Sequence, residues 1–145
     1  MTIKVSTALR NGMLDSGSFK SLMALGFLDI YSGPVPATAD DALVGATKLC
    51  RVSVASSATG LSFAAADAGV IPKAAEVWSG VNLATGVATF YRFVTSADTG
   101  VSSATEKRMQ GAVGLAGADL NLTNTSLTIA LTQTIDYFVV SLPTL

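Results

Sequence analysis

Residues 86–95, GVATFYRFVT, restrict the possible fold more than any other part of the chain. They read as a β-strand with apolar side chains on both faces. Val87, Tyr91 and Phe93 fall on one side, and Ala88, Phe90 and Val94 on the other. A strand covered on one side only alternates apolar and polar residues. This one needs cover on both faces, from a sandwich of its own or from a second protein. Burial is therefore the main clue to function.

The rest of the chain surrounds that strand with others. The N-terminal stretch is the one helix: Ser6 can cap it, since a serine oxygen accepts an orphan N–H of the first turn. Leu9 and Met13 align at i, i+4, and Asp15-Ser-Gly17 ends the helix. So short a helix is marginal alone and must pack on a sheet or on a neighbouring subunit. Next, Gly26, Leu28 and Ile30 share one face of a strand, with Phe27, Asp29 and Tyr31 on the other. Pro34 and Pro36 remove backbone donors and make residues 32–41 a connection, where Thr38 can cap one turn through Leu43. Strands follow over 48–55 (Cys50, Val52 and Val54 inward), 61–64, 74–79 and 106–113. In the last of these, Met109 and Val113 oppose Arg108 and Gln110. Residues 126–132 alternate, with Leu127, Ile129 and Leu131 inside, and 134–142 close the domain before Pro143. A bend is expected at Gln133.

About eight short strands at this spacing predict an all-β, antiparallel sandwich of jelly-roll type with one short N-terminal helix. An immunoglobulin-like sandwich is the second choice, although its Cys–Trp–Cys signature is missing. The 145 residues form one domain, large enough to fold without disulfides or metal.

Composition narrows the function. Hydrophobic residues make up 50% and charged residues 13%, too few charges to coat a monomer generously, so either partners cover part of the surface or Ser, Thr, Ala and Gly coat it. The net charge of −1 offers no basic field for nucleic acid. The one basic doublet, Lys107–Arg108, reads as a solvated strand edge. No apolar run approaches the ~18 residues of a membrane helix, and no secretion signal is evident. Cys50 is the single cysteine and reads as a small buried hydrophobe. The chain contains no histidine, which rules out the usual serine triads and Cys/His zinc sites.

The carboxylates fit structural roles better than catalytic ones. Asp40 and Asp41 read as helix-start caps rather than a calcium loop. Asp119, Asn121 and Asn124 read as side chains bonded to a turn backbone. Gly114-Leu-Ala-Gly117 lacks the Lys-Ser/Thr of a phosphate loop. Trp78, Tyr31, Tyr91 and Tyr137 could form a sugar-stacking platform, but core packing is the simpler role for Trp78. No catalytic, cofactor-binding or metal-ligating residue is assigned.

Four stretches in order, VSTALRNGMLD, LDIYSGPVPATADDAL, GVATFYRFV and GADLNLTNTSL, resemble the small virion proteins of tailed bacteriophages. The family is that of the jelly-roll cement, or decoration, proteins that bind outside the phage head. The resemblance covers most of the chain and rests on turns and strands, not on catalytic signatures. It implies a non-enzymatic protein, made in the host cytoplasm and carried on the capsid exterior. There it would bridge neighbouring major capsid proteins, commonly as a small symmetric oligomer, a homodimer by default, with no cofactor. A tail- or fibre-associated role, or a carbohydrate-binding module, is the alternative. Leu9 and Met13 on the helix and Tyr91 and Phe93 on the two-faced strand are the candidate interface residues.

Overall fold

A computed structural model describes residues 3–142. It is mostly β, with 39% strand and 9% helix. The first half carries β1 (Lys4–Val5), α1 (Thr7–Asp15), α2 (Phe19–Leu22), β2 (Phe27–Ser32), β3 (Thr47–Val54), β4 (Val70–Pro72) and β5 (Trp78–Val81). The second carries β6 (Gly86–Val87), β7 (Phe90–Val94), β8 (Arg108–Gly114), β9 (Leu120–Asn121), β10 (Ser126–Leu127), β11 (Thr132–Ile135) and β12 (Val139–Ser141). Pro143 lies outside the described residues.

The main sheet has eight strands in the order β1-β8-β7-β2-β3-β5-β11, with the short β9 lying parallel to β8. Two antiparallel ribbons, β6–β10 and β4–β12, stand apart from it. The all-β, antiparallel expectation holds, with two short helices instead of one. The strands are consistent with an all-β sandwich, while the jelly-roll connection goes beyond what this strand order shows.

One face of the sheet carries the apolar core. Leu28 and Ile30 of β2 sit in register with Val52 and Cys50 of β3 and with Phe93 and Tyr91 of β7, and all six are fully buried. The second layer over this face comes from α1, α2 and the β4–β12 ribbon. Phe63, Trp78, Phe93 and Phe138 form one aromatic cluster, with ring centroids 5.3–6.4 Å apart. Such offset and edge contacts add to the gain from burial alone. Helix α1 starts where its sequence says: Ser6 Oγ accepts from Leu9 N at 3.2 Å. Asp40 lies beyond that end and accepts from Thr7 N (2.9 Å) and Thr7 Oγ1 (2.6 Å). Asp40 is thus a helix-start residue, but for a helix more than 30 positions away. The β4 hairpin turns at Asp67-Ala-Gly69, where Ala68 (φ 47°) and Gly69 (φ 77°) both take the left-handed form that a two-residue turn needs.

Several expectations need correction. Residues 86–95 are not one strand. The chain leaves the ladder at Ala88 and Thr89, where Thr89 Oγ1 donates to Gly33 O at 2.9 Å. Val87 therefore pairs with Ser126 of β10 and is exposed, while β7 is buried along its whole length. Both faces of β7 are covered by the chain itself. Residues 126–132 also break. Ala130 takes φ 68° and turns the chain, so Leu127 is buried but Ile129 and Leu131 are exposed. The expected bend at Gln133 is absent, since Gln133 sits within β11 opposite Gly80.

Candidate functional site

The second face of the main sheet carries a polar layer that is buried at its centre. Its central row runs across five strands in register: Arg51, Asp29, Arg92, Gln110 and Lys4. Strand alternation places these side chains opposite the apolar core. The loops 33–46 and 96–106 fold over them and supply backbone acceptors. Gln110 Oε1 accepts from Arg92 Nε and Nη2 at 3.2 and 2.7 Å, and Arg92 Nη1 donates to Asp41 O at 3.0 Å. Gln110 Nε2 donates to Pro36 O at 2.9 Å, and Lys4 Nζ to Ala37 O at 2.8 Å.

Arg108 anchors the other loop. Its guanidinium is fully buried, pairs with Asp98 at 2.5 Å and with Glu106, and donates to Val101 O at 2.8 Å. The solvated edge expected for Arg108 is overturned: the loop 96–106 wraps the side chain and supplies its counter-charges. Arg92 has no carboxylate among its hydrogen-bond partners. Burial, with the nearby Arg108 charge, pulls its pKa below the ordinary arginine value.

Asp29 is the hub of the row's open end. Its carboxylate accepts from Arg51 Nε and Nη2, each at 2.7 Å, and pairs with Lys48 Nζ at 2.7 Å. The hydrogen bonds to Asp29 raise the pKa of Arg51. Asp29 is buried, whereas Lys48 and Arg51 are about one-third exposed, at 34% and 39% of their side-chain surface. A cleft of about 330 Å³ opens here, walled on one side by these three residues and Tyr31, and on the other by Asp98, Thr99 and Gly100. Tyr31 stacks on Phe90 with centroids 5.1 Å apart. Burial, followed by the Asp29 charge, raises the Tyr31 pKa well above the usual phenol value.

A second concavity, an apolar groove of about 490 Å³, lies over the helix and ribbon layer. Ile3, Val5, Met13, Phe19, Val70 and Val140 line it, with Leu142 at its end.

The candidate interface residues separate. Leu9, Tyr91 and Phe93 are fully buried in the core and present no surface, which corrects their placement at an interface. Tyr91 and Phe93 lie under the second layer, and Leu9 is the buried side of α1. Met13 is half-buried and lines the apolar groove. Trp78 is fully buried, with its Nε1 donating to Glu76 Oε1 at 2.9 Å, so it forms no sugar platform; Tyr137 is exposed. Asp119, Asn121 and Asn124 accept from backbone N–H groups of Ala112, Ala118 and Ser126, as expected of turn residues.

The buried polar row went unnoticed in the sequence. Its signal was there: Asp29 and Arg92 each interrupt an apolar strand, and a charge in such a strand must be paired or hydrogen-bonded. Among the described residues no three His, Cys, Asp or Glu side chains gather as metal ligands do, and no helix is long and apolar enough to cross a membrane. Comparison with family models, curated proteins and solved structures gives no match.

Proposed function

We propose that this chain is a non-enzymatic virion protein of a tailed bacteriophage, a cement protein that binds outside the head and bridges neighbouring major capsid proteins. The observation that carries the reading is the apolar groove beside α1. A soluble monomer rarely leaves large apolar concavities open to water, and those it does leave tend to bind something. The groove brings together Met13 from the family-like segment VSTALRNGMLD and Val140 and Leu142 from the chain's last strand region. Covering such a surface contributes about 25 cal/mol per Å² of apolar area before ordering costs, and a standard interface covers ~800 Å² on each partner. Self-association as a two-fold dimer fits the same surface.

The test is co-sedimentation of the purified chain with phage heads stripped of their decoration. The wild-type chain should pellet with the heads. Leu142→Asp puts a charge in the groove at a residue 73% exposed, so folding should survive while binding falls at least about tenfold, ~1.4 kcal/mol. Equal binding by the variant would remove the groove from the interface. No binding by the wild-type chain would reject the capsid role.

A further inference from the structure

The cleft on the polar face lies on the far side of the sheet from the apolar groove, and its charges are divided between its two walls. Asp29 carries one negative charge and holds two cations, Lys48 and Arg51, each at 2.7 Å. On the opposite wall Asp98 accepts from Arg108 and from Gly100 N, and Glu106 shares the same guanidinium, so that wall holds two acids on one cation. The surplus positive charge is local to the Asp29 wall, where the two cations share one acid.

The cations are also fixed and under-used. Arg51 spends Nε and Nη2 on Asp29, and its Nη1 makes no hydrogen bond among the described residues. Its guanidinium lies 4.9 Å from the Phe27 ring centroid, and Lys48 Nζ lies 5.9 Å from that of Tyr31. Among the described residues Lys48 bonds only to Asp29, which leaves it further N–H donors. A buried carboxylate and two aromatic faces thus hold two cations, each about one-third exposed, at the mouth of a concavity. Donors positioned in advance cost little to order when a ligand arrives.

We infer that this cleft binds a small oxyanion, a phosphate or carboxylate group, between Lys48 Nζ and Arg51 Nη1. The bidentate edge of Arg51 is occupied by Asp29, so the ligand takes single hydrogen bonds from each cation instead of a planar fork. Such a site has little preference for carboxylate geometry over tetrahedral geometry. The cleft volume of about 330 Å³ suits a small ligand.

The experiment is an NMR titration of the full chain with inorganic phosphate and, separately, with acetate, each to about 50 mM at constant ionic strength so that general screening cancels. Saturable shifts are expected at the Arg51 side-chain Nε and at the amides of Lys48, Thr99 and Gly100. Phosphate should saturate at lower concentration than acetate because it carries more charge. Lys48→Gln leaves the Asp29–Arg51 pair in place and should weaken binding by at least about fivefold with an unchanged melting temperature. Shifts that fail to saturate with either anion, or that are equal in Lys48→Gln, would overturn the inference.

Discussion

At the scale of single residues, the clearest oddity is Tyr91. Its ring is fully buried against Phe138 in an edge-to-face contact at 5.6 Å, yet its hydroxyl finds no hydrogen-bond partner among the described residues. Burial, with the Asp119 charge behind it, raises the phenol pKa. A buried, unpartnered hydroxyl costs stability, so removing it should help. Tyr91→Phe is expected to stabilise the fold by about 1 kcal/mol, read from the denaturant midpoint at unchanged slope. A loss of similar size would mean that the hydroxyl is satisfied. Cys50 behaves as its sequence context implied. It is fully buried, and burial plus the Asp29 charge pushes its thiol pKa up to about 12. Arg108 shows where reading residue by residue falls short. A doublet in a polar stretch looks solvated, and only the fold-back of the preceding loop, 96–106, reveals its burial.

At the scale of elements, the two-faced strand was legible as a demand for cover and illegible as to its source. Phe93 meets the aromatic core through Phe63, while Phe90 stacks on Tyr31 under the polar-face loops. Neither face is left for a partner. Phe90→Ala and Phe93→Ala should therefore both destabilise the isolated chain, by about 3–5 kcal/mol each in thermal or chemical melts. A variant of either that melts like wild type would reopen one face as an interface. Helix α1 and β2 were readable because capping and alternation act within a few residues. The breaks at Ala88–Thr89 and Thr128–Leu131 were not, because tertiary hydrogen bonds set them: Thr89 reaches Gly33, and Ala130 N donates to Asn82 O at 2.9 Å. Close strand approach is similarly hidden. A Cβ on Gly80 would stand 2.1 Å from Arg51 O, so β5 can join β3 there only as glycine.

At the scale of the whole molecule, ionisable groups set the pH range of the fold. With no histidine, few groups titrate near neutrality, and stability should be nearly flat from about pH 6 to 8. Tyr31, Tyr91 and Cys50 have folded pKa values raised above their unfolded ones. Above roughly pH 9 the unfolded chain releases protons that the folded chain keeps, so stability should fall as pH rises from there. Asp41, held low by its hydrogen bonds from Thr38, works in the opposite direction. Its contribution is present above the ordinary carboxylate range and lost as pH falls through its depressed value. Melting temperatures across pH 3–11 should trace a plateau with losses at both ends; a step between pH 6 and 8 would contradict this assignment of groups. The sheet's two sides divide the labour in this account. One is covered by helices and a ribbon that carry the apolar groove, and the other holds a buried ionic layer with a small cleft. The proposed cement role is tested most directly by a cryo-EM reconstruction of tailed-phage particles incubated with the purified chain. The account predicts density for the chain on the outer surface of the head, groove side against the major capsid protein. A head exterior without it, or density confined to the tail, would contradict the account.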